Sequence, residues 1–141
     1  MKYKVINVSY NEDTKEDIRK VRSDVFIKEQ GIDPEIEFDG KDESAVHSLV
    51  FYETTPVGTG RILDDGRIGR VSVLKQFRHE GFGLMIMKSL INEAKIKGFS
   101  RVYLDSQKCA VEFYEKLGFS KQGASFVKAN IEHQTMEMPL D

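Results

Sequence analysis

The stretch from Gly69 to Ser89 constrains this chain more than any other, and its centre is Arg78-His79-Glu80-Gly81-Phe82-Gly83. Before the centre, Ile68-Gly69-Arg70-Val71-Ser72-Val73-Leu74 is a β-branched run that predicts a strand. After it, the residues from Leu84 to Ala94 are good helix formers. Strand, glycine turn and helix in succession aim several unpaired backbone N–H groups at one point. The helix dipole adds partial positive charge there, so the point suits a phosphate. Gly81 and Gly83 have no Cβ and let a bulky anion approach the main chain. Arg78 can add a bidentate contact to phosphate oxygens.

Two familiar phosphate loops do not fit. A Walker loop needs Gly-Lys-Ser/Thr, whereas Gly83 is followed by Leu84 and Met85. A Rossmann turn needs a third glycine, and Ile86 occupies that position. What remains, R-x-x-G-x-G between a strand and a helix, resembles motif A of the GNAT superfamily of acyl-CoA N-acyltransferases. In that family the loop amides hold the pyrophosphate of coenzyme A. The resemblance therefore implies cofactor contacts at Arg78, His79, Glu80, Gly81, Phe82, Gly83 and Leu84.

Composition narrows the alternatives. The 141 residues predict a single domain, 1–141, with a sizeable core. A net charge of −2, with Lys and Arg spread among acids, gives no electrostatic case for nucleic acid. The single cysteine, Cys109, excludes an internal disulfide, and with only three His it argues against a metal site. Met1-Lys2-Tyr3-Lys4-Val5 lacks the apolar core of a signal peptide, and no apolar run is long enough for a membrane span. The expectation is a cytoplasmic protein, monomeric or homodimeric, without metal, membrane or nucleic-acid partners.

Along the chain, Tyr3 to Tyr10 predicts a first strand. Thr14-x-x-Asp17 is a candidate capping pair for a helix with an apolar face of Ile18, Val21, Val25 and Phe26. Glu29-Gln30-Gly31 ends that helix, and Pro34 cannot continue it. Gly31 to Ser44 is acidic and irregular, and most of its charge is expected to be solvated. Ala45 to Tyr52 and Val57 to Leu63 predict antiparallel strands joined at Thr54-Thr55-Pro56, and Asp64-Asp65-Gly66 predicts the next hairpin. The helix after the glycine turn should bury Phe82, Ile86, Leu90, Ile91 and Ala94 and stop at Gly98. Arg101 to Ser106 predicts a strand returning parallel to Gly69–Leu74 through a right-handed crossover. Phe119 to Ala124 and Thr135 to Leu140 are the last strand candidates, joined by Ser125 to Gln134. The result is one α+β domain around a mixed sheet.

A-x-x-F-Y-x-K-x-G-F follows the predicted parallel strand, at Ala110, Phe113, Tyr114, Lys116, Gly118 and Phe119. It resembles motif B of the GNAT enzymes, so two motifs stand in the family's order and the likeness spans essentially the whole chain. Val25 to Gly31, with its Glu29-Gln30-Gly31, further resembles the ElaA/YjcF-like branch. The resemblance implies a GNAT fold: a mostly antiparallel mixed sheet flanked by helices, with one parallel strand pair splayed to hold coenzyme A. It also implies acetyl-CoA as acyl donor, with Gln107, Ala110, Phe113 and Lys116 completing its site.

Physical reasoning adds roles to these positions. Diverging parallel strands leave backbone amides facing a slot, and a pantetheine arm can pair with them as an extra strand. Val71, Ser72 and Val73 offer those amides, and an N–H near Val73 can stabilise an oxyanion. The resemblance places the general acid at Tyr114, a phenol that can donate a proton to the leaving thiolate. Cys109, with no histidine in a partner context, is expected to be a small buried or helix-start residue rather than a nucleophile. The base that deprotonates the amine is left open among Glu29, Glu37, Asp39, His47, His133 and water, with His133 ahead of His47. Glu29, Gln30, Glu37, Asp39 and His133 are the candidate acceptor contacts. The acidic run from Glu29 to Asp39 predicts a positively charged primary amine, either a small molecule or a lysine-type side chain. A different acyl-CoA, or a non-catalytic CoA-binding sensor on the same fold, are the competing readings.

Overall fold

The computed structural model describes residues 2–141; Met1, the first residue of the predicted domain, lies outside them. The chain forms β1 (Tyr3–Ser9), α1 (Lys15–Arg22), a π-helical continuation (Ser23–Glu29), α2 (Pro34–Glu37), β2 (Val46–Tyr52), β3 (Thr55–Ile62) and β4 (Ile68–Val73). After the glycine turn come α3 (Phe82–Ile96), β5 (Arg101–Gln107), α4 (Val111–Leu117), β6 (Ser120–Lys121), β7 (Phe126–Lys128) and β8 (Ile131–Pro139).

Two sheets divide these strands. The first is an antiparallel meander in the order β1-β2-β3-β4; the second runs β5-β8-β6, with β7 also paired to β8. They meet at one parallel bridge, Arg67 to Tyr103, where the Tyr103 N–H donates to the Gly66 carbonyl at 3.1 Å. Gly66 is required at this junction. Its φ is +91°, and a Cβ there would stand 2.6 Å from the Arg101 carbonyl oxygen. Beyond the bridge β4 and β5 share no ladder, so the predicted splayed parallel pair is present.

The core fills the space between α3 and the first sheet. Phe82, Ile86, Leu90 and Ala94 recur at helical spacing and are buried, as expected, together with Met87. The close approach of α3 depends on β3 having Gly60 beneath it. A Cβ at Gly60 would lie 2.7 Å from the Ile86 side chain and 3.1 Å from Leu90. At the far end of the chain Gly118 takes φ +111° to stop α4, and the Phe119 N–H donates to the Tyr114 carbonyl at 3.1 Å.

Several expectations need correction. The Thr14 hydroxyl does not cap α1; it donates to the Ser9 carbonyl at 2.6 Å and accepts from the Asn11 N–H. Pro34 starts a short helix, α2, capped by the Asp33 carboxylate accepting from the Glu35 N–H. Thr55 and Pro56 belong to β3, which leaves Glu53 and Thr54 as the turn. The segment joining Ser125 to Gln134 contains β7, folded onto β8 through Ala129 and Asn130, both at positive φ.

The largest departure concerns the acidic segment, which is not a solvated loop throughout. Arg22 is fully buried, donating from Nε to Glu37 at 2.8 Å and from Nη1 to Asp42 at 2.6 Å. Arg61, also buried, donates to Asp42 at 2.8 Å and to Asp39 at 2.6 Å. Burial raises the Asp42 and Asp39 carboxyls, but the arginine hydrogen bonds outweigh it and hold both below the usual carboxylate range. Burial prevails at Glu37, whose pKa is raised despite Arg70 and Arg22. These pairs pin the segment between α1 and β2 to the body of the domain. Removing Arg22 would take one of two arginine partners from each of two buried carboxylates, leaving Asp42 to Arg61 and Glu37 to Arg70, a cost of about 1.5–3 kcal/mol. Arg22→Met should therefore lower the urea-unfolding free energy by about that amount; a loss under about 1 kcal/mol would mean the network contributes little.

Candidate active site

Site geometry begins with a bulge in β4. Thr59 pairs with Ser72 and Arg61 with Gly69, so Arg70 and Val71 share the single position opposite Gly60. Arg70 takes φ +55° there. The opposite edge of β4 faces β5 across the splay, with no ladder partner among the described residues. At the end of β4 the chain turns through His79 (φ +66°) and Gly81 (φ +85°) into α3. Gly81 supplies no side-chain cap, so the first amides of α3 remain open to a ligand. Nothing lies within 4 Å of a Cβ built at Gly81, and Gly83 meets only Phe113 at 3.8 Å. The cradle is empty of protein at the two glycines.

A groove of about 400 Å³ runs along this edge, lined by Val71, Ser72, Val73, Arg78, His79, Gly81, Phe82, Gly83, Leu84 and Phe113. Ten residues expected to hold the acyl donor are thus brought together. Phe82 is buried, so only its backbone serves the groove. Glu80 and Lys116 are exposed and line neither this groove nor its neighbour. The free edge, the open amides and the uncluttered glycines fit an acyl-CoA.

A second cavity, about 210 Å³, opens on the other side of Val71, between β4, β5 and the β7–β8 hairpin. Gln30 and Val71 line both spaces. Helix α4 and the turn before it border both: Phe113 lines the groove, and Ala110 and Tyr114 line the cavity. Gln107 also lines the cavity, its Nε2 donating to Gln30 Oε1 at 2.9 Å.

Tyr114 is half-buried, edge-on to Phe113 and Phe119, and its hydroxyl has no hydrogen-bond partner among the described residues. Burial, assisted by Cys109, pushes its pKa up to about 12, so it stays protonated across the working range of an enzyme. His133 lines the cavity, stacked on Phe126 at 5.8 Å. Its Nδ1 lies 2.7 Å from the Ile131 carbonyl, an acceptor only, so Nδ1 carries the hydrogen and Nε2 of the neutral ring keeps a lone pair. His47 is buried and bonded to the Asp42 carbonyl, with its pKa lowered by burial. It is structural. Cys109 is exposed in the short turn before α4, not buried.

The acids expected to draw a cation into the site have arginine partners instead. Glu29 lies beside Arg78, which donates to both its oxygens at 2.6 Å and from Nε to the Val73 carbonyl at 2.9 Å. Hydrogen bonds from Arg78 hold the Glu29 carboxyl below its usual value. Glu29 therefore sits with the glycine turn through Arg78 and lines no part of the cavity. Arg78 reaches a phosphate only with its remaining N–H groups or by releasing Glu29. Asp39 is held by Arg61 and lies 3.3 Å from Arg70; Glu37 lines the cavity between Arg22 and Arg70. Sequence reasoning missed Arg67, Arg70, Asp105 and Lys128 at the cavity wall. Only the tertiary fold brings these four together, and no local pattern marks them. Among the described residues no helix is long and apolar enough to cross a membrane.

Comparison with known proteins agrees with this layout. The family described as "Acetyltransferase (GNAT) domain" matches residues 11–140. The uncharacterized N-acetyltransferase YjcF of Bacillus subtilis (strain 168) is 37% identical over 133 residues, covering 92% of this chain and 95% of that protein. Among solved structures, Escherichia coli ElaA superposes with a TM-score of 0.87 at 24% identity, covering 97% of this chain and 99% of that one. An acyl-CoA N-acyltransferase from Pseudomonas aeruginosa gives 0.88 at 23% identity, with coverage of 97% and 99%. The two motifs, the splayed strands and these matches agree: the chain belongs to the GNAT acetyltransferase family, as an acyl-CoA-dependent N-acyltransferase.

Proposed function

We propose that this chain transfers the acetyl group of acetyl-CoA to the nitrogen of a primary amine, by direct attack while both substrates are bound. The observation that carries the reading is the junction of groove and cavity at Gln30 and Val71, with Tyr114 beside it. An acyl donor lying in the groove and an amine in the cavity would meet there. Proximity of this kind supplies much of the rate enhancement in acyl transfer.

Acetyl-CoA brings an activated thioester carbonyl. The amides opening α3 and the free N–H groups of Arg78 hold its pyrophosphate, and the β4 edge at Val71 and Val73 pairs with its pantetheine amides. A β4 N–H polarises the carbonyl. The amine nitrogen bonds to the carbonyl carbon, His133 Nε2 takes its proton, and the C–S bond breaks. Tyr114 donates to the departing thiolate. An ordinary thiol titrates near ~8.5. Full transfer from a phenol raised to about 12 is therefore uphill, and Tyr114 acts chiefly as a hydrogen-bond donor that strengthens as charge develops.

Gly83→Val tests the groove. Val is at least as good a helix residue as Gly, so the fold should hold while its side chain fills the pyrophosphate site. The melting-temperature rise that acetyl-CoA gives the parent should vanish; a normal rise in the folded variant would contradict the assignment. Tyr114→Phe should lower kcat by about ten- to a thousandfold with little change in acetyl-CoA Kd. Because the hydroxyl stays protonated below about 12, the parent kcat should show no descending limb from Tyr114 up to about pH 10. An unchanged kcat in Tyr114→Phe would reduce the residue to packing. Glu29→Gln frees Arg78 and should tighten acetyl-CoA by about two- to fivefold, the scale of a surface ion pair. A change in amine KM alone would place Glu29 on the acceptor side after all.

A further inference from the structure

The acceptor cavity has a charge imbalance that the transferase reading does not use. Arg61, Arg67, Arg70 and Lys128 line it against two acids, Glu37 and Asp105. Three of the cations have partners. Arg61 is taken up by Asp39 and Asp42, and Arg70 by Glu37, Asp39 and the carbonyls of Ile36 and Glu37. Arg67 donates from Nη2 to Asp105 at 2.7 Å, and its remaining N–H groups are uncommitted. Arg70 Nη1 has no hydrogen-bond partner among the described residues.

Lys128 is different. No carboxylate pairs with it among the described residues, and Arg67 and Arg70 are the charges that bear on it most. Lys128 is exposed at the cavity rim; partial desolvation first, then those two arginines, lower its pKa against the weaker pull of Asp105 and Asp39. The fold nevertheless delivers it to this place. Lys128 is the last residue of β7, paired across to Ile131, and the tight turn behind it forces Ala129 to φ +52°. A non-glycine residue at positive φ is uncommon, and Ala129 lines the same cavity. An anion seated among Lys128, Arg67 and Arg70 would relieve the repulsion.

We propose that the acceptor is a small amine that carries its own carboxylate, bound through that carboxylate by Lys128 with the uncommitted N–H groups of Arg67 and Arg70. The amine end then points toward Val71 and Tyr114. The cavity, about 210 Å³, suits a molecule of amino-acid size rather than a polymer. This rests on the transferase reading and specifies its second substrate. The positive charge of the amine is balanced within the molecule, so the cationic wall does not repel it.

The experiment pairs amino acids with the amines that lack only their carboxylate: glycine with methylamine, β-alanine with ethylamine, leucine with isopentylamine. Calorimetry on the full chain holding CoA gives binding, and thiol release from acetyl-CoA gives turnover. O-phosphoethanolamine serves as the phosphate arm. Amino acids should bind at least about tenfold tighter than their partners and show a kcat/KM higher by the same factor, the scale of one charge-assisted hydrogen bond. Lys128→Gln should erase that preference by raising amino-acid KM, and Lys128→Arg should restore most of it. Equal or better use of carboxylate-free amines would overturn the proposal while upholding the transferase reading. So would a preference that survives Lys128→Gln, a phosphate arm that outcompetes every carboxylate, or no binding by any amino acid. Amino-acid binding that depends on Lys128, without thiol release from any amine, would instead overturn the transferase reading and leave this site standing.

Discussion

Everything in this molecule depends on the point where β4 and β5 stop sharing hydrogen bonds. Backbone N–H and C=O groups inside a domain are satisfied by a neighbour, by water or by a ligand. Tyr103 pairs with Gly66 and Arg67, and from there the strands part. The bulge at Arg70 and Val71 interrupts the β3–β4 register within β4 and bends the strand locally. An inner strand edge is thereby left for an extended ligand to use, in a place where the sheets would otherwise close. The glycine turn lies at the far end of that edge, and α4 stands across the opening. Groove and cavity are two sides of one defect in pairing.

Electrostatics then determines what surrounds the defect. Arg22, Arg61 and Arg70 take up Glu37, Asp39 and Asp42, so an acidic stretch in the sequence becomes a neutralised wall in the fold. Buried pairs of this kind contribute less to net stability than their short distances suggest, because desolvation offsets the attraction. Their effect is positional: they hold the segment after α1 against β4, where Glu37 and Ile36 meet the cavity. The charge left over at the wall belongs to Lys128.

Much of this was legible in the sequence wherever the signal was local. The glycine turn stands between a strand and a helix as expected, and α3 buries the predicted face. Phe119 folds back on Tyr114 because the residue after a helix-ending glycine has few other places to go. Charge partners were not legible, because Arg22 and Asp42 meet across 20 residues of chain and Arg61 and Asp39 across 22. Acidic residues in a loop look solvated until the arginines arrive. The β7–β8 hairpin was missed because Ala129-Asn130 lacks the glycine that marks such turns, and β7 is three residues long. Lys128 and Ala129 owe their places at the cavity to that hairpin.

Amide hydrogen exchange with and without acetyl-CoA tests the central claim most directly, since it reads the backbone groups on which the site depends. The splayed-edge account predicts new protection at Val71–Val73 and at the opening of α3, Phe82–Leu84, with the β1–β2 ladder unchanged. Protection confined to other elements, or none at saturating acetyl-CoA, would contradict it.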